Sequence, residues 1–260
     1  MHEFLSSLLS DRGCDSPFTV FGRWHLLYLT VIFCAILLLL LSLKNRSAET
    51  KQRAITTTAN CAFGLYVADF FLMPFAYGEI DLEKLPFHVC TAMCVMCFLS
   101  RHHPFFRRFR LPFAILGLAS NLIYVIYPAG VGWYLVHPLC YRVIQTLLFH
   151  GLMSAYGLLV LAFDEVELKL KNCGRELLVI AAMTLWALLG NTLYNGIGSR
   201  QFNWFFVTRD PFYLLPEHLA PYIMPPVMVL VMFAAVLLVY AGYFAAKKLL
   251  NRSRAKEAEH

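Results

Sequence analysis

Apolar residues run along this chain in long unbroken blocks, not at the 3.6-residue rhythm of a helix with one wet face, and short polar breaks separate the blocks. Reading runs against breakers predicts seven spans, at residues 24–43, 56–76, 86–100, 110–128, 139–163, 176–197 and 221–246. A helix needs about 20 apolar residues to cross hydrocarbon. The third span is short, a mismatch that a tilted or partly buried helix accommodates. The expected fold is therefore all-α: a polytopic membrane protein, a bundle of seven transmembrane helices in one domain over residues 1–246, with a basic cytoplasmic tail at 247–260. The first twenty residues carry Glu3, Asp11 and Asp15 and no clean apolar core, unlike a cleaved signal peptide. The run from His25 to Leu43 reads as a retained first span.

Composition agrees with the pattern. Hydrophobic residues make up 59% of the 260 positions and charged residues 15%, against about 25% charged in soluble domains. The chain cannot cover itself with a solvated surface. Its net charge of +6 sits in clusters between spans, which signals topology and anionic-lipid contact and excludes nucleic acid as a partner. Lys44, Arg46, Lys51 and Arg53 fill the first such cluster; Arg101, Arg107, Arg108 and Arg110 the second; Lys169, Lys171 and Arg175 the third; the tail supplies the fourth. Alternate segments are poor in positive charge, with only Lys84 in residues 77–85 and none in 129–138. The positive-inside rule then predicts an outside N terminus and a cytoplasmic C terminus.

With that orientation, polar residues on five helices fall at one depth, toward the outer side. Asp69 lies in the outer half of the second span, where a carboxylate costs at least about 2.5 kcal/mol unless paired or protonated. His88 and Cys90 open the third span, with Pro86 suited to its first helical position because the missing N–H falls where none is needed. Asn121 and Tyr124 end the fourth span. Arg142, Thr146, His150 and Ser154 form an i, i+4 stripe on the fifth with Gln145 beside it, and Asn191 and Asn195 end the sixth. The coincidence of depth predicts a cavity open to the outer side. The plainer reading of each Asn, Gln, Thr or Ser is helix–helix glue. His25 reads as an interfacial side chain beside Trp24, and the RHHPFFRRFR segment as an interfacial anchor.

Eight cysteines are too scattered for a disulfide framework, although Cys14 and Cys140 both fall on the predicted outer side. Cys90, Cys94 and Cys97 share a helix face, but a straight helix stacks such thiols apart instead of converging them on an ion. No metal and no cofactor are expected; Cys94 and Cys97 read as packing. Cys90 differs because it touches the polar layer, where a nearby imidazole can turn a thiol into a nucleophile. His88 is a poor partner, pointing about 200° away on an ideal helix. His150 is better placed by depth, with Asp69 or an asparagine to orient it. Residues 198–221, with six aromatics and three prolines, suit either an aromatic belt or a re-entrant segment or lid.

LPFHVC at 85–90, FHG at 149–151 and N-x-x-x-N followed by FNWFFVTRDP resemble the YwaF-like bacterial integral membrane proteins. That family is similar to a eukaryotic membrane acyltransferase that loads polyunsaturated chains onto ether phospholipids. It also lies near the integral membrane hydrolases of fatty-acid esters of hydroxy fatty acids, which pair a threonine with a histidine. The resemblance implies Cys90 as nucleophile, His150 as its histidine partner and His88 as a second motif residue. Asn203 joins the set that would orient substrate, and Trp204 departs from the tyrosine usual at its position. It further implies residence in a bacterial inner membrane, with phospholipids or acyl lipids as partners. Two functions stay open: a lipid acyltransferase or ester hydrolase, and a transporter or channel centred on Asp69. A retinal protein is excluded, because residues 221–246 contain no lysine. Oligomeric state is left open.

Overall fold

The computed structural model describes residues 17–76, 78–132, 135–165, 168–195, 201–211 and 213–258; Cys14, and with it the possible pairing to Cys140, lies outside them. Among the described residues the principal helices follow the predicted runs: α1 (Arg23–Leu43), α2 (Ala48–Ala76), α3 (Val89–His102), α4 (Arg110–Ile126), α5 (Tyr141–Phe163), α6 (Gly174–Tyr194) and α7 (Ala220–Ala258). Six of these stretches are long and apolar enough to cross a membrane, α4 counting together with the turn that follows it to Gly132. The protein is an all-helical integral membrane protein. α3 is the exception. Its 14 residues reach about 21 Å at 1.5 Å per residue, short of the roughly 30 Å of hydrocarbon. It is wedged between α2 and α4, where protein takes the place of lipid.

The boundaries differ from the apolar runs for local reasons. α2 begins two turns before its run because AETKQRA is made of good helix formers that need no lipid. α7 likewise continues past its run to Ala258. Pro86 does not start α3. The helix begins at Val89 with His88 as its N-cap residue, because Leu85–Phe87 are held in a turn: the Phe87 N–H donates to Leu85 O at 2.7 Å, and the Trp186 indole donates to Pro86 O at 2.7 Å.

α4 and α5 form the centre. Every α4 residue from Leu111 to Asn121 is buried, as is most of α5. Their closeness is set by Gly157, where a Cβ would come within 2.6 Å of the Leu118 Cβ and 2.9 Å of Ala114 O. Small residues are what allow membrane helices to approach like this. α1 lies at the periphery against α5, with Leu38 and Leu41 facing outward as a lipid-contacting surface. It is pinned at one end by His25, which is completely buried. Its Nδ1 accepts from the Phe21 N–H at 2.9 Å, so its Nε2 donates to Val125 O at 3.0 Å. The interfacial reading of His25 is replaced by a staple between α1 and α4.

Candidate functional site

The polar residues predicted at one depth sort into three connected groups. The first starts from Asp69 of α2, which has no solvent exposure. Its partner comes from outside the helices. Asp81 accepts from the Glu83 N–H at 3.1 Å and so caps a short three-ten turn, Leu82–Lys84. Tyr66 donates to Lys84 O at 2.9 Å and fixes the turn against α2. The turn delivers the Lys84 ammonium to 3.2 Å from Asp69 Oδ2, a charge contact off the direction of a good hydrogen bond. Tyr141 Oη donates to the other oxygen at 2.8 Å. The Lys84 Nζ also reaches Gln145 Oε1 at 3.4 Å, which accepts from Thr146 Oγ1 at 3.3 Å. Arg142 is buried in the first turn of α5.

One turn along, the His150 Nδ1 lies 2.7 Å from Thr146 O. A carbonyl only accepts, so Nδ1 carries the proton and the lone pair of the neutral ring is on Nε2. The ring is clamped flat against Tyr124 of α4, centroids 4.0 Å apart and 13° from parallel, with Phe149 edge-on at 5.1 Å. His150 therefore has one tautomer and one orientation.

The second group surrounds Cys90. Its thiol lies beside Ser120 of α4, one helical turn before Tyr124. Cys90 and His150 thus bear on successive turns of the same helix. Cys90 and His88 are both half-buried. Beside them Asn121 is fully buried. Its Nδ2 donates to Gly117 O at 2.7 Å and to Ser120 Oγ at 3.4 Å. Its Oδ1 has no hydrogen-bond donor among the described residues. A buried acceptor left unpaired costs about 1–3 kcal/mol, so this oxygen calls for a donor from water or a ligand. Cys94 and Cys97 are buried packing, with Cys97 against Gly117. Among the described residues no three His, Cys, Asp or Glu side chains converge as metal donors.

The third group is a loop inlaid among the helices. Phe202, Trp204, Phe205 and Val207 are all buried, so this part of the 198–221 segment is an insertion and not a surface belt; residues 196–200 and 212 lie outside the described positions. Trp204 stacks on Phe202 at 4.5 Å and packs on Phe87 at 4.8 Å. Phe87 fits because Gly190 has no Cβ: one would lie 2.4 Å from its ring. The loop is strained, with φ of 58° at Phe205 and 54° at Phe206, a left-handed region that aromatics seldom enter. Polar side chains hold it there. Asn191 donates to Trp204 O at 3.1 Å and accepts from Trp204 N at 2.9 Å. Asn195 accepts from Phe202 N at 2.6 Å. Asn203 accepts from the Thr208 and Arg209 N–H groups, both at 3.1 Å. The Trp204 indole donates to Glu83 O at 3.1 Å. His88 Nδ1 accepts from Phe205 N at 3.3 Å, which places its ring proton on Nε2. The side chains of Asn191, Asn195 and Asn203 are engaged in holding this backbone.

Lys84, Ser120 and Tyr141 were missed as site residues by sequence reasoning, whereas residues 198–221 were read as a belt or a re-entrant segment. The signal for Lys84 was present: it is the lone cation in a segment predicted to lack them, beside a helix with a buried acid. Ser120 and Tyr141 gave none, being ordinary membrane-helix residues.

These helices, with a stretch of non-helical backbone inlaid among them, define a polytopic membrane protein. A family model for the TMEM164 family matches residues 20–245, and the chain belongs to that family. Comparison with curated proteins and with solved structures found no significant match.

Proposed function

We propose that this protein is a thiol-dependent lipid acyltransferase or lipid ester hydrolase, acting in the half of the bundle that the charge pattern predicts to lie outside. The observation that carries this reading is the fixed tautomer of His150: its Nε2 lone pair is held in one orientation on the stretch of α4 that also receives Cys90. His150 Nε2 takes the Cys90 thiol proton, and the thiolate adds to the ester carbonyl of an acyl lipid. The oxyanion accepts from a fixed donor, a role the Nε2–H of His88 fits because its other nitrogen is engaged by Phe205. Collapse breaks the ester C–O bond, the departing alkoxide takes the proton from His150, and the acyl group remains as a thioester on Cys90. A lipid hydroxyl or water, deprotonated by His150, then attacks the thioester, releases the new ester or acid, and the proton returns to the thiolate. The resemblance of LPFHVC and FHG to acyl-transferring membrane proteins supports the same assignment, as does the resemblance to proteins of bacterial inner membranes for location. The transporter reading fits less well, because Asp69 already carries Lys84 and Tyr141.

The test is acyl labelling of the full chain with an alkyne fatty acyl phospholipid, followed by hydroxylamine. Wild type should carry a hydroxylamine-labile label, Cys90→Ala none, and His150→Gln a rate lower by about 10²–10⁴-fold. Equal labelling and identical lipid profiles for wild type and Cys90→Ala would end the proposal.

A further inference from the structure

At the opposite end of the bundle, where the second basic cluster lies, three helices meet around one carboxylate. Asp164, just past α5, has a side chain 1% exposed; Arg101 of α3 is 7% exposed and Arg110 of α4 is 15% exposed. Arg101 Nη2 lies 2.8 Å from Asp164 Oδ2, and Arg110 Nη2 lies 3.1 Å from Oδ1. Arg101 Nε also donates to Tyr156 Oη at 3.1 Å and its Nη1 to Gln52 Oε1 at 3.4 Å. Two guanidiniums thus share one carboxylate, and the excess positive charge is buried, where uncompensated charge is costly. A guanidinium carries five N–H donors, and these contacts leave some unused on each.

Beside the triad is a cavity of about 220 Å³, lined by Thr56, Arg101, Arg107, Arg110, Asp164 and Glu165 among others. Arg107 is exposed at its edge and makes no side-chain hydrogen bond or ion pair among the described residues. Three cations face two carboxylates, of which Glu165 is solvent-exposed. An apolar occupant would leave this lining unpaired, and a metal cation would meet three guanidiniums. An anion with several acceptor oxygens matches the leftover N–H donors and the charge.

We propose that this cavity binds a phosphate group, as the headgroup phosphate of an anionic lipid or as free phosphate. The site is separate from Cys90 and independent of the acyl-transfer reading. The test uses the full chain in an uncharged detergent at pH 7, with thermal unfolding as readout. Inorganic phosphate is compared with chloride at equal ionic strength, and phosphatidylglycerol with phosphatidylcholine in mixed micelles. The expected result is a saturable rise in Tm, with half-saturation shifted about tenfold higher in Arg107→Gln and unchanged in Arg53→Gln, which removes an exposed cation elsewhere. A response to phosphate assigns the free ion, and one to phosphatidylglycerol alone assigns the headgroup. The proposal is overturned if neither probe acts beyond its control, if Arg107→Gln titrates like wild type, or if Arg53→Gln weakens the response equally.

Discussion

A buried carboxylate anchors each end of the bundle, and the two are neutralised differently. Asp69 meets one ammonium, carried in on a capped turn, and a phenol that donates without adding charge. Asp164 meets two guanidiniums from two helices. In the first, around Asp69, one acid meets one cation, and the arrangement continues by hydrogen bonds through Gln145 and Thr146 toward His150. The second has excess positive charge and opens on a polar hollow. Burial of an acid is common to both; the count of cations around it separates a balanced pair from one with positive charge to spare.

The largest effect in breaking this comparison is expected from Asp164→Ala, which leaves two buried guanidiniums facing each other. It should cost about 3–5 kcal/mol, read as a loss of Tm in detergent. Lys84→Met should cost less, about 2–3 kcal/mol, because Lys84 is partly solvated and Tyr141 still bonds the acid; thermal unfolding at neutral pH checks it. Acid sharpens the contrast. Burial opposes the charge of Asp164, but Arg101 and Arg110 outweigh it and hold the carboxyl below its usual value of 3.8. Its folded-state pKa is depressed, so its contribution is complete above that value and disappears as pH falls below it. Unfolding followed from pH 5 to pH 2 should show this loss in wild type and not in Asp164→Ala. The smallest effect belongs to the Arg53–Glu49 pair, with side chains 78% and 73% exposed: Arg53→Ala should change stability by less than about 0.5 kcal/mol.

Helix placement was legible in the sequence because lipid imposes one requirement on every span, and apolar runs report it directly. The short α3 was legible too, as a run too brief for its neighbours. The start of α3 was not. Pro86 satisfies the rules for a first helical residue, and only the Trp186 indole, 100 positions away, captures its carbonyl for a turn. The same distinction governs the site. Depth arguments brought Cys90, His150 and Asp69 forward as candidates, since hydrocarbon tolerates an ionisable group only where a partner or a polar cavity compensates it. They do not separate the two readings of Asn191 and Asn195, because an amide that lines a cavity and one that staples a peptide have the same address along a helix. The arginines at the other end were read as topology signals, and nothing in their spacing reveals that two converge on Asp164.

The inlaid loop has a consequence for the order in which the molecule assembles. Phe205 takes its hydrogen-bond acceptor from His88, 117 positions earlier, and the Trp204 indole finds its acceptor at Glu83, 121 positions earlier. Contacts of such separation incur their loop-closure entropy before they are rewarded. The left-handed turn at Phe205 and Phe206 has some local support from Asn203, but these long-range contacts complete it. Trp204 is therefore expected to close into place after the Leu85–Phe87 turn has met α6, and His88 gains its fixed tautomer from the same contacts. By this entropy argument, the end of the bundle that carries His88 is completed late in folding.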